Sequence, residues 1–357
     1  MAGHVGVREL TRDQELGVIK KRLVLPGGFS FETPQRSMTL AQSNTLTVVN
    51  EIPRQINEAT IDSLESGTST LERDVRVRYL SDTLNLAIFD LKFDSVPPRS
   101  AVSTISQYLY TSSDRVVLLP TVKSALLKDP PKFSRFSQKR IGSYVRMMSQ
   151  IIDEIESVGN HKPIIATIPL LPIKFCRPIL ECYFSKGIES YAIDAGTRDI
   201  LLNEADFRLI LAEINKHRSL SEVFVYACNL GYPQFERSRT RADDFLGLFA
   251  YVDILGGTFK TRGGPRMPET PQRAKIFSRD EYSYKISTYQ QASQQLGFKV
   301  SQWNIRSYNQ QLQLQEADFL RPLIGQQPIK PYVQRKAAVD AVSISRLESI
   351  AKGVPAK

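Results

Sequence analysis

The sequence predicts an α/β fold: a (β/α)8 barrel of the TIM type with a helical, Gln-rich C-terminal extension. Apolar runs at 164–169, 190–196, 223–229 and 251–257 each read as a buried strand. A helix-like stretch separates each run from the next, which is the alternation of a parallel sheet. Each run ends in polar or small residues, and in such barrels the strand C-termini line the active-site mouth. Asp194, Asn229 and Asp253 stand there and are the first candidates for chemistry.

Residues 1–21 are polar and read as a loose arm. Residues 22–34 (RLVLPGGFSFETP) read as a hairpin, with a Pro-Gly-Gly turn between an apolar strand and the alternating Phe29 and Phe31. The run 46–49 fits a first barrel strand or its lead-in, and 58–78 shows no clear pattern. Runs 84–89 and 116–119 are further strands, followed by Asp90 and Asp94 in one case and by Thr121 and Lys123 in the other. Helical spacing over 137–157 puts Ile141, Val145, Met148, Ile151, Ile152 and Ile155 on one side. Helices follow at 176–185, 204–215 and 241–250, the last with Asp243 and Asp244 favouring its N-terminal end. A Gly/Pro/Arg-rich loop runs on to Arg273. Residues 281–324 are Gln-rich with a mostly helical pattern, and 328–357 read as a basic, weakly ordered tail with a final helix near 343–351. The expected organisation is an arm over 1–21, a barrel over 22–280 and an extension over 281–357.

A net charge of +10 and a pI near 9.4 point to a polyanionic partner, nucleic acid before an anionic membrane surface. A soluble enzyme with a merely basic surface is the alternative. The positive charge is clustered: Lys132, Arg135, Lys139 and Arg140; then Arg237, Arg239 and Arg241; then Arg262, Arg266, Arg273, Lys275 and Arg279. With no long apolar run and no signal peptide, the expected location is the cytoplasm, with no membrane contact. Cys176, Cys182 and Cys228 form no CxxC pair and read as buried thiols. His4, His161 and His217 are scattered, so no metal site is expected. No GxGxxG, GxxxxGK[ST] or GxSxG occurs, so neither a nucleotide cofactor nor an acyl-transfer site is expected.

Asp194 and Asp253 form the sharpest pair, since two carboxylates at one mouth can divide nucleophilic and acid/base duties. The alternative is that either one caps a helix or pairs with an arginine. Gly196 and Arg198 follow Asp194, in a small-residue loop whose N–H groups could hold an anion. Gly256 and Gly257 allow close approach of a flat ligand, or are plain turns. Tyr226, Tyr232, Phe235, Phe259, Tyr282 and Tyr284 fall near the basic loops, either to stack on an unpaired base or to anchor the core.

Taken in order, these pieces resemble the tRNA-guanine transglycosylase superfamily over roughly residues 20–265. The resemblance is carried by Glu32-Thr33-Pro34 after a glycine turn and by Tyr191-Ala192-Ile193 before a small-residue loop. It continues in Gly231-Tyr232-Pro233, Val252-Asp253 and Thr261-Arg262 at matching spacing. It implies exchange of guanine for a 7-deazaguanine-type base in tRNA, or in DNA, through attack of a carboxylate on the sugar's anomeric carbon. Asp253 would then be a displaced nucleophile and Asp194 the acid/base or base-reading group. Asn229, Gly196, Gly256 and Gly257 would border the base, and Arg198, Arg239, Arg262 and Arg266 would hold phosphate. The family's own nucleophile position falls on Gly256, and its C-x-C-x-x-C…H zinc motif has no counterpart. A non-catalytic paralogue that binds tRNA, or pairs with an active subunit as a homo- or hetero-dimer, is the second expectation. A barrel lyase using Lys92 or Lys123 is the third.

Overall fold

The computed structural model describes residues 3–41, 47–93, 97–122, 135–158, 162–231, 239–259 and 273–354. The chain opens with β1 (Gly6–Arg12) and β2 (Ile19–Val24), which pair antiparallel. A turn at Pro26–Gly28 follows, with Gly27 and Gly28 at φ 79° and 77°, a region that suits glycine. β3 (Ser30–Glu32) pairs back onto β2 with Arg22 opposite Glu32, giving the expected hairpin. The loose arm is not observed. Leu16, Val18 and Ile19 are buried, and so is Lys21, because Ile19, Lys21 and Leu23 alternate onto the inner side of β2.

Next come β4 (Gln35–Arg36) and β5 (Met38–Thr39), separated only by Ser37, and then β6 (Val49–Ile56). Parallel strands thus begin at Gln35, earlier than the run at 46–49 suggests. The stretch 58–78 contains α1 (Glu58–Glu65), capped by Asn57, and α2 (Leu71–Arg76). β7 (Leu84–Leu91), α3 (Arg99–Thr111), β8 (Val117–Leu118), β9 (Thr121–Val122) and α4 (Arg135–Ser157) follow. Then β10 (Ile164–Pro169), α5 (Ile173–Ser185), β11 (Ser190–Asp194), α6 (Glu204–His217) and β12 (Phe224–Cys228) alternate as the apolar runs predict. β13 (Arg239–Arg241) leads to α7 (Asp243–Leu246), a single turn that tightens into a 3-10 turn at Gly247–Phe249, shorter than the helix expected over 241–250. β14 (Ile254–Leu255) is the last strand of the parallel set.

The parallel strands form two sheets, in the orders β4-β14-β12-β11-β10-β8 and β5-β6-β7-β9. Successive residues divide between two cores. Val49, Leu84, Leu86, Ile88, Leu118, Ile165, Ala192, Phe224, Tyr226 and Ile254 pack together in an inner cluster with Leu23, Leu25 and Phe31 of the hairpin. Their alternates, among them Phe89, Ile164, Ile168, Tyr191, Ile193 and Val225, pack against helix residues such as Ile105, Ile151, Ile179 and Ile210. Both strand faces are therefore buried, which is why these runs read as almost continuously apolar. The hairpin covers the end at which the strands start.

After β14 the chain forms β15 (Arg273–Ser278), β16 (Ser283–Thr288), α8 (Tyr289–Leu296), α9 (Gln302–Leu320), α10 (Ile329–Gln334) and α11 (Ala341–Lys352). β16 replaces part of the helix expected over 281–324, because Tyr284 and Ile286 lie in a strand that pairs with both β13 and β15. The expected boundary at 280 falls in the turn of the β15–β16 hairpin, and α9 packs on β4, β5 and β15. The described part of the tail, 328–354, is packed rather than loose: Ile344, Leu347 and Ile350 of α11 are buried, and Lys330 binds Glu15 at 3.1 Å and Glu348 at 2.7 Å. Among the described residues no helix is long and apolar enough to cross a membrane.

Candidate functional site

The C-terminal ends of β11, β12 and β14 bring Asp194, Gly196, Asn229, Gly256 and Gly257 together. Asp194 shares the strand face of the inner-cluster residue Ala192 and is 5% exposed. Its Oδ1 accepts the Asn229 side-chain amide at 2.9 Å and the Gly196 N–H at 3.0 Å. Asn229 holds φ 53°, and Thr197 φ 69°, backbone conformations that branched and bulky residues avoid. They are stitched in place. Thr197 N–H donates to the Asn229 carbonyl at 2.7 Å, Asn229 N–H to the Gly257 carbonyl at 2.9 Å, and Phe259 N–H to Asn229 Oδ1 at 3.1 Å. Asn229 thereby links three strand ends and aims its amide at Asp194.

Below this layer lies a carboxylate that sequence reasoning missed. Glu51 of β6 is fully buried. Its oxygens accept Ser37 Oγ at 2.6 Å, Tyr226 OH at 2.6 Å, Thr39 Oγ1 at 2.8 Å and the Gly257 N–H at 3.0 Å. Buried carboxylates persist only when so satisfied. Burial and the neighbouring Glu51 push the Tyr226 phenol well above its ordinary range, so the hydroxyl stays a donor. A side chain at Gly256 would start 2.7 Å from Glu51 Oε1 and Tyr226 OH, so the space where the resembling family carries its nucleophile is filled. The only sequence signal for Glu51 is an acid set between Val49 and Ile52 in an apolar run.

Asp253 does not join this group. It precedes β14 rather than ending it, and it lies at the strand-start end, 1% exposed. Its Oδ2 accepts Lys21 Nζ at 2.8 Å and the Val225 N–H at 2.8 Å, and its Oδ1 accepts Thr33 Oγ1 at 3.2 Å. Lys21 Nζ also donates to the Val223 carbonyl at 2.9 Å. Burial pushes the Asp253 carboxyl up, and Lys21, Val225 and Thr33 offset only part of that rise. The expectation that Asp253 faces Asp194 is overturned, since Asp194 closes β11 while Asp253 meets the beginning of β12.

A second strand-end carboxylate is Asp90. It lies on the β7 face that carries Leu84, Leu86 and Ile88, with Thr121 opposite in register, as Asp194 lies opposite Pro169. Asp90 pairs with Lys92 and accepts Thr121 Oγ1 at 3.3 Å.

The expected phosphate-binding arginines disperse. Arg198 donates to the Leu170 carbonyl at 2.9 Å and is half-buried. Arg239 lies on β13 beside Glu281 at 3.2 Å. Arg262 and Arg266 lie outside the described residues, as do Lys123, Lys132, Tyr232, Phe235 and Arg237. Arg241 pairs with Asp243 and Asp340, and Arg279 with Glu316 at 2.9 Å. Much of the described charge in the basic loops is thus answered within the molecule. Tyr226, Tyr282 and Tyr284 are buried core residues rather than exposed stacking platforms. Cys176 and Cys228 are buried thiols and Cys182 is partly buried. Among the described residues no group of three His, Cys, Asp or Glu side chains is placed to hold a metal ion.

A scan against protein-family models finds no match to this chain, and a search of curated proteins finds none either.

Proposed function

We propose that the two parallel sheets are arcs of one closed (β/α)8 barrel and that its strand-end mouth receives a nucleobase for transglycosylase-type exchange in tRNA or DNA. The pairing pattern supports the closure. The segment 35–39 pairs with β14 on one side and β6 on the other, and 117–122 pairs with β10 and with β7. Following the pairs returns to the starting strand after eight segments. In such barrels chemistry belongs to the strand C-termini.

The observation that carries the functional reading is Asp194, held at a strand end by Asn229 and Gly196. A fixed carboxylate there reads the N–H edge of a base, or moves the proton that the departing base needs and the incoming base loses. Asp90 is the partner carboxylate in this reading, on the inward face at the same end. It displaces the base at the sugar's anomeric carbon, and the new base then displaces it. Asp253 has no part in the reaction.

The test is incorporation of labelled guanine or a 7-deazaguanine into tRNA and duplex DNA by the purified chain. Asp194→Asn and Asp90→Asn are each expected to cost about 10²–10⁴-fold in rate. Asp253→Asn, compared per folded molecule, keeps its rate. A second reading, binding without exchange, is favoured by the filled space at Gly256. It predicts salt-sensitive tRNA binding with no incorporation. Failure to bind any nucleic acid at low salt overturns both.

A further inference from the structure

The chain carries 37 acidic residues, yet none falls between 282 and 315, the longest acid-free stretch in the sequence. The same stretch holds nine glutamines together with Lys285, Lys299 and Arg306. In space it belongs to one unit. Ala274 and Ile276 of β15, Ala292 of α8, and Val300 and Ile305 at the start of α9 share a small core distinct from the two clusters of the parallel sheets. What this unit turns outward is polar: Gln290, Gln294 and Gln295 of α8 are exposed, and so are Lys285 and Lys299.

The two lysines are held at defined places. Lys285 lies opposite Arg239 and Ile276 in register, so it shares the sheet face on which α8 packs. Its side chain is 56% exposed and its ammonium stands 4.0 Å from Glu281, the outer limit of an ion pair. Lys299 comes two residues after Gly297, whose left-handed backbone at φ 72° ends α8. That turn is pinned from α9: Asn304 Nδ2 donates to the Lys299 carbonyl at 2.6 Å, and Asn304 Oδ1 accepts the Ser301 N–H at 2.6 Å. Phe298 in the same turn packs on Tyr308 with ring centres 5.7 Å apart, and both rings stay half-buried. The unit also borders the strand-finish end of the parallel sheets, because one cleft is lined both by Leu230, Gly256 and Thr258 and by Tyr289, Gln302 and Ile305.

We propose that this acid-free face docks the ribose-phosphate backbone of an RNA, beside the strand-finish mouth. The inference rests on the nucleic-acid reading above and names the surface that carries it. Carboxylates repel phosphodiesters, so a face that lacks them and carries lysines suits a polyanion. Side-chain amides both donate and accept, which matches the 2′-hydroxyl, itself a donor and an acceptor. A half-buried ring in a pinned turn, next to a lysine, offers its free side to an unpaired base.

The experiment is fluorescence anisotropy of labelled tRNA with the full chain over a series of salt concentrations. Lys285→Gln combined with Lys299→Gln is expected to weaken binding about tenfold at low salt. It should also lower the slope of log K against log salt by about one for each lysine. The melting temperature should not move, because both side chains are exposed. Gln290→Glu combined with Gln294→Glu, which places acids on the face, is expected to weaken binding to a similar degree. Arg177→Gln combined with Lys216→Gln removes the same charge from α5 and α6, where these side chains are 55% and 70% exposed, and should keep affinity within about twofold. An RNA hairpin is expected to bind about tenfold more tightly than its all-deoxy copy. The proposal is overturned by a folded lysine double variant with unchanged affinity and slope, by a control pair that costs as much, or by equal binding of the deoxy copy. Any of these, with a native chain that binds tRNA, sinks the docking face alone. A native chain that binds no RNA at low salt sinks the nucleic-acid reading with it. Binding through this face with no base incorporation supports the docking surface and sinks only the exchange.

Discussion

Asp253 and Asp194 are aspartates beside short parallel strands of the same sheet, yet the two ends of that sheet use them differently. At the strand-start end Asp253 is saturated: an ammonium, a backbone N–H and a hydroxyl surround it, and the packed hairpin covers it. At the strand-finish end Asp194 is held by an amide and an N–H from loops that take up left-handed backbone at Thr197 and Asn229. One end uses its acid to lock the chain entry to the sheet. The other holds its acid in position with backbone that is costly to form, the arrangement associated with a working site.

The largest effect that sharpens this contrast lies at the strand-start end. Lys21→Met leaves Asp253 buried and unpaired, and is expected to cost about 3–5 kcal/mol in chemical denaturation. The double variant Lys21→Met with Asp253→Leu is expected to recover most of it. A small cost for the single change would break the contrast, because the pair would then not be a structural lock.

Glu51→Gln comes next. It keeps the shape but trades acceptor oxygens for an amide among four donor groups, and should cost about 2 kcal/mol. Because Glu51 receives the Gly257 N–H, and Gly257 receives the Asn229 N–H, the change should also loosen Asn229. Amide exchange of Asn229 and Phe259 reads this directly, and should rise while exchange near Lys21 stays unchanged.

Much of the architecture was legible from apolar runs. β10, β11 and β12 lie where the runs place them, because strands buried on both faces are nearly all apolar and stand out from helix spacing. Asp253 was misread for a related reason. The run 251–257 is apolar or small apart from Asp253 itself, but only Ile254 and Leu255 pair as strand, and Tyr251 sits at φ 58°. Composition does not tell which end of such a run is in register. Lys21 looked like part of a charged arm because its partner is 232 residues away in sequence. Glu51 had the same disguise, since two of its donors, Tyr226 and Gly257, come from segments distant along the chain. The tail read as loose because its apolar residues are sparse, yet Ile344, Leu347 and Ile350 recur at helical spacing and are enough to dock α11 on α6.

The smallest expected effect separates the ends by pH. Asp199, in the loop after Asp194, lies half-buried near Asp243, and burial followed by that like charge pushes its carboxyl up to about 6. An unfolded aspartate titrates near 3.9. The folded chain therefore binds the proton more tightly, so stability is greatest below about pH 4 for this group and falls as pH rises through 6. Asp199→Asn should flatten that slope in melting temperature between about pH 4 and 7. An unchanged slope would mean that the strand-finish loops store no such repulsion.

The hairpin packed across the strand starts has a kinetic consequence. Leu23, Leu25 and Phe31 pack into the cluster at that end, so among the described residues the strand starts are filled by side chains. Under the proposed exchange, the outgoing base and its replacement would then share the strand-finish mouth in turn, and the order expected is ping-pong, with the first product gone before the second substrate enters.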